Sequence, residues 1–430
     1  MKLFKLPMIW SSGDFRRVWV SNTCLSISQA IATFAASVGM INVLDASPFE
    51  AGLIAPLNSI GPLMFGLFAG VAVDRIGRRR TLIGTSWIRA GLYSIPVLLF
   101  VIGYLSPWQV LLVLGIIGLT ETFSRAAQTS IIPNIVGREN VGDAAGSLMA
   151  SEQVVALVGP AAGGLLVRLI PAPLAFAVSA TAQFVSGASL IKIRKDPRPD
   201  PNEAWPKVSS AIKEGWAFLV GHKLLLALVL TTSVNNAAAG LYQAAESWFI
   251  LKDLGIAPEL FGIVWSLSAV GGVVGAVVAP GLGRRIGPLR AMFMASLLVP
   301  INFAIIPLSV LAPEMALVNI WISFTLFGIT LGMLSVNSSS VIAMITPDEL
   351  MARVSSTRRA ITQGMLLLAG VVGATLLATV GALVTLWMAV GVALLQCVFL
   401  LRAGVPRRGV PSAEELPEDE PGAGVWCGRK

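Results

Sequence analysis

The sequence predicts an all-α polytopic membrane protein, with twelve transmembrane helices in two pseudo-symmetric six-helix bundles. Three observations carry that reading. Apolar blocks of about 20 residues recur along the chain, each long enough to cross roughly 30 Å of hydrocarbon as a helix. Basic residues collect in every second connection. One constant offset of 210 residues relates the first half to the second.

The blocks fall near 17–43, 50–73, 81–103, 107–132, 146–168, 172–192, 223–251, 258–281, 291–311, 315–342, 359–380 and 383–401. Over 430 residues the chain is 55% hydrophobic and 13% charged, with a mean hydropathy of +0.79, a balance that leaves too little polar surface for a soluble globule. The opening segment, MKLFKLPMIWSSGDFRR, has no small-residue cleavage site after a short apolar core, so span 1 reads as an uncleaved anchor.

The net charge of +8 invites a nucleic-acid reading, which the placement of the charges excludes. Of the 31 Lys and Arg, 27 lie in alternate connections or in the two tails. By the positive-inside rule both termini and every basic loop face the cytoplasm. The expected location is the bacterial cytoplasmic (inner) membrane, multi-pass.

The stretch IRKDPRPDPNEAWPKVSSAIKEGW is the longest polar interruption, rich in proline and charge. It divides the chain into a bundle at 1–192, a linker at 193–222, a bundle at 223–401 and a tail at 402–430 expected to be disordered. Within the linker Val208, Ile212, Trp216 and Leu219 recur at helical spacing, with Lys207, Lys213 and Glu214 on other faces. That pattern predicts a short amphipathic helix on the cytoplasmic interface.

The offset pairs Gly52, Gly61, Arg75, Ile76, Gly77 and Arg80 with Gly262, Gly271, Arg285, Ile286, Gly287 and Arg290. It also pairs Gly118, Ser130, Glu139, Gln153 and Gly163 with Gly328, Ser340, Glu349, Gln363 and Gly373. Six spans repeated in one orientation imply a two-fold axis along the membrane normal and an alternating-access carrier with its site between the halves. Enzyme chemistry has no foothold: there is no nucleophile–base set, no GxxxxGK[ST] phosphate loop, and one histidine, His222, so no multi-histidine metal centre. Cys24, Cys397 and Cys427 suggest neither disulfide nor metal site. No cofactor is expected, only a proton gradient or the solute's own gradient as energy source.

Gly70-Val-Ala-Val-Asp74-Arg75-Ile-Gly77-Arg78-Arg79-Arg80 joins spans 2 and 3. It closely resembles the signature of the major facilitator family. The resemblance implies that this loop latches the first half to the start of span 11, where Arg358 and Arg359 are the available partners. The second-half copy, GLGRRIGPLR, has Arg284 in place of the aspartate, so the latch is expected on one side only. In span 5, Gly159-Pro160-Ala-Ala-Gly163-Gly164, with Gly146 upstream, resembles the end of the antiporter signature of drug exporters in that superfamily, although Val155 replaces one glycine. Generic glycine packing between membrane helices is the alternative. The longer run at 133–167, with DFRRVWVSN and SRAAQTSIIP, is similar to the bacterial exporters of enterobactin and of macrolides. Span 4 has Leu114 four residues before Gly118, where the drug-exporter pattern has arginine, so a proton-coupling role tied to that arginine does not carry over.

Charges inside a bilayer cost about 2.5–3.5 kcal/mol each and face partners or water. Arg89 in span 3, Glu121 and Arg125 in span 4 and Glu152 in span 5 form such a set, with Glu121 and Arg125 at i,i+4 spacing. Two readings stay open: a structural ion-pair cluster, or a proton site in which Glu121 or Glu152 exchanges partners. Span 7 offers Asn235, Asn236, Gln243 and Glu246 as a cavity wall. Gln29, Asn58, Gln183, Asn302, Asn337 and Gln363, and the aromatics Phe123 and Trp265, are further cavity candidates.

The function expected is proton-coupled export of a siderophore or a hydrophobic drug-like compound, by a monomer embedded in the lipid bilayer. The alternatives are a proton-linked importer of a small nutrient and a non-transporting membrane receptor.

Overall fold

The computed structural model describes residues 8–66, 68–193 and 208–402. Every regular element among them is helical: α1 (Gly13–Asn42), α2 (Pro48–Gly52), α3 (Ile54–Leu57), α4 (Ile60–Phe65), α5 (Ala69–Ile76), α6 (Arg78–Val101), α7 (Pro107–Val136), α8 (Val141–Leu169), α9 (Phe176–Leu190), α10 (Val208–Gly221), α11 (Lys223–Trp248), α12 (Pro258–Ile286), α13 (Pro288–Ile305), α14 (Ala316–Ile345), α15 (Asp348–Val380) and α16 (Ala382–Arg402), with short 3₁₀ and π turns between them. The expected disordered tail, from Ala403 onward, lies outside the described residues, as does Lys207.

Local chemistry explains the starts. Ser12 caps α1 through the Phe15 amide, 3.3 Å away. Ser47 and Glu50 close a capping box on α2. Pro107 and Pro288 open α7 and α13, where a missing N–H costs nothing.

Eleven helices among the described residues are long and apolar enough to cross a membrane. The expected continuous span at 50–73 is instead cut into α2, α3, α4 and α5. Pro56 and Pro62 each remove a backbone donor, and Asn58, Ser59 and Gly66 hold the intervening turns, so no uninterrupted hydrogen-bond ladder forms. Large apolar side chains such as Leu98, Val101, Leu112, Val277 and Leu311 point outward, as a hydrocarbon solvent requires.

The chain divides into two compact units. One comprises Met1–Trp205 with Ile256–Ser266, the other Pro206–Gly255 with Leu267–Lys430. The opening turns of α12 thus belong to the first unit. That unit has one core where Met40, Ile54, Tyr93, Leu114 and Phe176 meet, and another where Phe15, Val73, Leu82, Ile131 and Leu190 meet. In the second, Leu219, Leu225, Leu289, Val341, Val354 and Leu400 form the main core.

The internal repeat is visible in equivalent contacts. Gly77 and Gly287 both take φ near +90° (99° and 89°), a turn that a side chain would strain, between a helix ending in Arg-Ile and the next one. A methyl on Gly118 would lie 2.9 Å from the Leu57 carbonyl, and one on Gly328 would strike the Ser268 carbonyl, the residue 210 after Asn58. Gly163 abuts Phe34, while Gly373 abuts Leu241 and Ala244, the latter 210 after Phe34.

The linker helix α10 sits on α15. Gly215 lets its backbone approach the Arg353 carbonyl to 2.7 Å from where a Cβ would be, Glu214 pairs with Arg353, and Leu219 is buried. Trp216, expected to share the stripe of Leu219, is 52% exposed. The side chains of Val208, Ile212 and Lys213 lie outside the described ones.

Candidate functional site

The loop between α5 and α6 is built on Gly77. Asp74, in the last turn of α5, reaches across the break to Arg78 Nε at 3.3 Å, and Arg78 Nη1 donates to the Ser130 carbonyl of α7 at 3.0 Å. Arg79 donates to the Leu190 and Ile191 carbonyls, and Arg17 Nη1 donates to the Lys192 carbonyl at 2.8 Å. Two guanidinium groups therefore cap the C-terminal end of α9, where free carbonyls and the helix dipole favour cations. This bond-by-bond role of Arg79 was not legible in the sequence, because the acceptors lie more than a hundred residues away. Arg75 is exposed. At Gly70 a Cβ would meet nothing within 4 Å. Arg358 and Arg359 lie on α15 in the second unit; Arg359 is exposed and Arg358 half-buried.

The four charged residues of spans 3 to 5 separate into an open pair and a sealed centre. Glu121 Oε1 pairs with Arg125 Nε at 2.6 Å, and the Arg125 side chain is 56% exposed. Glu152, half-buried on α8, acts electrostatically on the same guanidinium. Arg89 is different, with 1% exposure. Its Nη2 donates to Ser124 Oγ at 3.1 Å. Its Nε and Nη1 are buried with no hydrogen-bond partner among the described residues. Hydrogen bonding couples Arg89 to a serine, while Glu121 and Arg125 act on it electrostatically.

Around Arg89 runs a polar layer through α1, α6, α7 and α9. Ser21 and Ser86 both bond Ser186, at 2.7 and 3.2 Å, and Gln128 Nε2 donates to Asn22 Oδ1 at 2.6 Å. Gln183 is fully buried, with neither amide atom paired.

The glycines of α8 serve close packing, each against a different neighbour. Gly159 faces Ala30 of α1, and Gly163 the Phe34 ring. Gly164 faces the backbone of Glu259 at the start of α12, and Gly262 returns the contact by lying against Gly164 and Phe34. Pro160 interrupts the ladder of α8, and the Ala161 amide donates to Ser266 Oγ at 3.0 Å. Trp265, expected in the cavity, packs with Phe261 and Phe34 at centroid distances of 5.2 and 6.2 Å. Gly146 is outside this seam, with open space where a Cβ would be.

The remaining candidates scatter. Gln29 is half-buried on α1, Asn58 is exposed between α3 and α4, and Phe123 rests on Phe65 at 5.6 Å. On α11, Asn235 and Glu246 are half-buried and Gln243 exposed, whereas Asn236 Nδ2 donates to the Thr362 carbonyl of α15 at 2.8 Å. Gln363 is half-buried and its Oε1 lacks a partner among the described residues. Asn337 and Asn302 are each 2% exposed. Asn337 bonds the Met333 carbonyl of its own helix at 2.9 Å, and Asn302 accepts from Ser323 at 3.0 Å. The Asn302 amide thus ties α13 to α14, a common form of glue between membrane helices, whereas Asn337 is bonded within its own helix.

A repeated bundle of apolar helices of membrane-spanning length defines a polytopic membrane protein. The profile of the Major Facilitator Superfamily matches residues 18–299 and 228–424. The chain belongs to that family, whose members are transporters. It is similar to the enterobactin exporter EntS of Escherichia coli O1:K1 / APEC, with 23% identity over 397 residues and 89% of each chain covered. The EntS of Salmonella typhi is likewise 23% identical, over 401 residues, with 89% of each chain covered. Among solved structures, the nucleoside transporter NupG matches with a TM-score of 0.76 at 11% identity, over 91% of this chain and 99% of that one. A bacterial homologue of the iron transporter ferroportin matches with a TM-score of 0.69 at 13% identity, over 91% and 98%. These two establish likeness of fold alone.

Proposed function

We propose that the chain is a proton-coupled exporter of a mid-sized amphipathic organic compound, of the catecholate siderophore or hydrophobic drug-like class. It works by alternating access, as a monomer in the bacterial cytoplasmic membrane with both termini in the cytoplasm. The observation that carries the coupling is the Glu121–Arg125 pair. The pair closes at 2.6 Å on an arginine whose side chain is 56% exposed, and Glu152 acts on the same cation, so one carboxylate can release Arg125 while the other holds it. Likeness to enterobactin exporters over 89% of the chain supports the export direction and the substrate class. The Gly70–Arg80 loop acts as the conformational latch, with Arg358 and Arg359 as the partners the family resemblance implies.

The test uses inside-out membrane vesicles energised to an inward-acidic gradient, with a catecholate siderophore and a lipophilic drug as probes. Accumulation of either that an uncoupler abolishes supports proton-driven export, and the probe accumulated selects the class. No accumulation in vesicles shown to contain folded protein overturns the reading. Uncoupler-sensitive uptake into whole cells would replace it with import.

A further inference from the structure

Glu121 stands between two cations of unlike surroundings. On one side is Arg125, four residues on, largely exposed and paired at 2.6 Å. On the other is Arg89, which comes from α6 and lays Nη2 on Ser124, three residues on from Glu121. On a helix, residues three and four apart share a face with Cβ atoms about 5–6 Å apart. The guanidinium that touches Ser124 therefore lies beside the Glu121 side chain, one turn along α7.

Arg89 is also incomplete where it sits. Nε and Nη1 are closed off from solvent and have no acceptor among the described residues. A buried donor, and above all a buried charged one, is rarely left without a partner. The groups that act electrostatically on Arg89 are Tyr93 of its own helix and Glu121 and Arg125 of α7. Between Ser21 and Ser28 the titratable residue of α1 is Cys24, and α9 carries buried serines and the Gln183 amide. Glu121 is then the one carboxylate able to complete the two free nitrogens.

We infer that Arg89 is the second, sealed partner of Glu121: the carboxylate exchanges between Arg125 at the open face and Arg89 in the bundle interior, while Glu152 takes over Arg125. Only the ionised carboxylate gains from this move, so pairing with Arg89 follows release of the proton from Glu121. Arg89 is thereby a positioning residue acting through Glu121. This rests on the proton-site reading above, and adds Arg89 to Arg125 as a cation that holds the carboxylate in its charged form.

The experiment labels the full chain in lipid vesicles with dicyclohexylcarbodiimide, which consumes the protonated carboxyl, and reads Glu121 modification by peptide mass spectrometry at pH 7. In Arg89→Gln the labelled fraction should rise about tenfold, the size expected when an opposite charge is lost at close range. Arg89→Lys should stay near the parent. Ser124→Ala, which takes away the hydroxyl that competes with the Glu121 carboxylate for Arg89 Nη2, should lower labelling, and it decides the matter if Arg89→Gln does not fold. Equal labelling of parent and folded Arg89→Gln, or of parent and Ser124→Ala, overturns the inference. Energised uptake in the same vesicles keeps the two proposals apart. Shifted labelling without proton-driven uptake sinks the export reading and leaves the partner exchange standing. Proton-driven uptake with unshifted labelling does the reverse.

Discussion

The glycines of α8 lend themselves to a comparison in which most unknown terms cancel. Gly146 and Gly159 lie on one helix, and each gains the same propensity on mutation to alanine, about 0.8–1.0 kcal/mol in a soluble host. Their surroundings differ completely. At Gly146 a Cβ would meet nothing within 4 Å, whereas at Gly159 it would lie 2.5 Å from the Ala30 Cβ of α1. Carbon atoms sit comfortably at about 3.5–4.0 Å, so α1 and α8 must part by roughly 1 Å to admit the methyl. Ala30 has no rotamer to give way with, and overpacking of this kind costs about 1–3 kcal/mol. Gly159→Ala should therefore melt several degrees below Gly146→Ala when purified in detergent and followed by the loss of the monodisperse peak on heating. Gly163→Ala should fall between them, because its Cβ would meet the Phe34 ring at 3.1–3.3 Å and a ring can turn. Equal melting of Gly146→Ala and Gly159→Ala would refute the argument that these two glycines are kept apart by packing.

Two further expectations concern function. Asp74 and Arg78 are each about a quarter exposed, 26% and 24%, and such a pair contributes less than about 1 kcal/mol. Asp74→Asn should leave yield and melting nearly unchanged while slowing transport of the accumulated probe; full-rate transport removes the latch role. Glu121→Gln and Glu152→Gln should each abolish concentrative efflux while sparing counterflow exchange if they carry the proton. A drop in folded yield with normal efflux per molecule would instead assign them to bracing the helices.

The sequence alone determined the class of the protein, because the cost of unpaired backbone in hydrocarbon forces long apolar helices, and charge must be kept out of that layer. The 210-residue offset was equally legible: Gly77 and Gly287 repeat because both turns need a positive φ, and Gly118 and Gly328 because both crossings exclude a side chain. Composition did not reveal that span 2 is segmented, since hydropathy ignores where two prolines and an Asn-Ser pair break the ladder. The partners of polar groups were illegible for another reason. Where every helix face is apolar, periodicity no longer says which way a side chain points. Only tertiary packing put Trp265 against Phe34, Arg79 on the end of α9 and Arg89 on Ser124. Those contacts join residues from 35 to more than 200 positions apart, and it is the packing of whole helices, not local sequence, that brings them within reach.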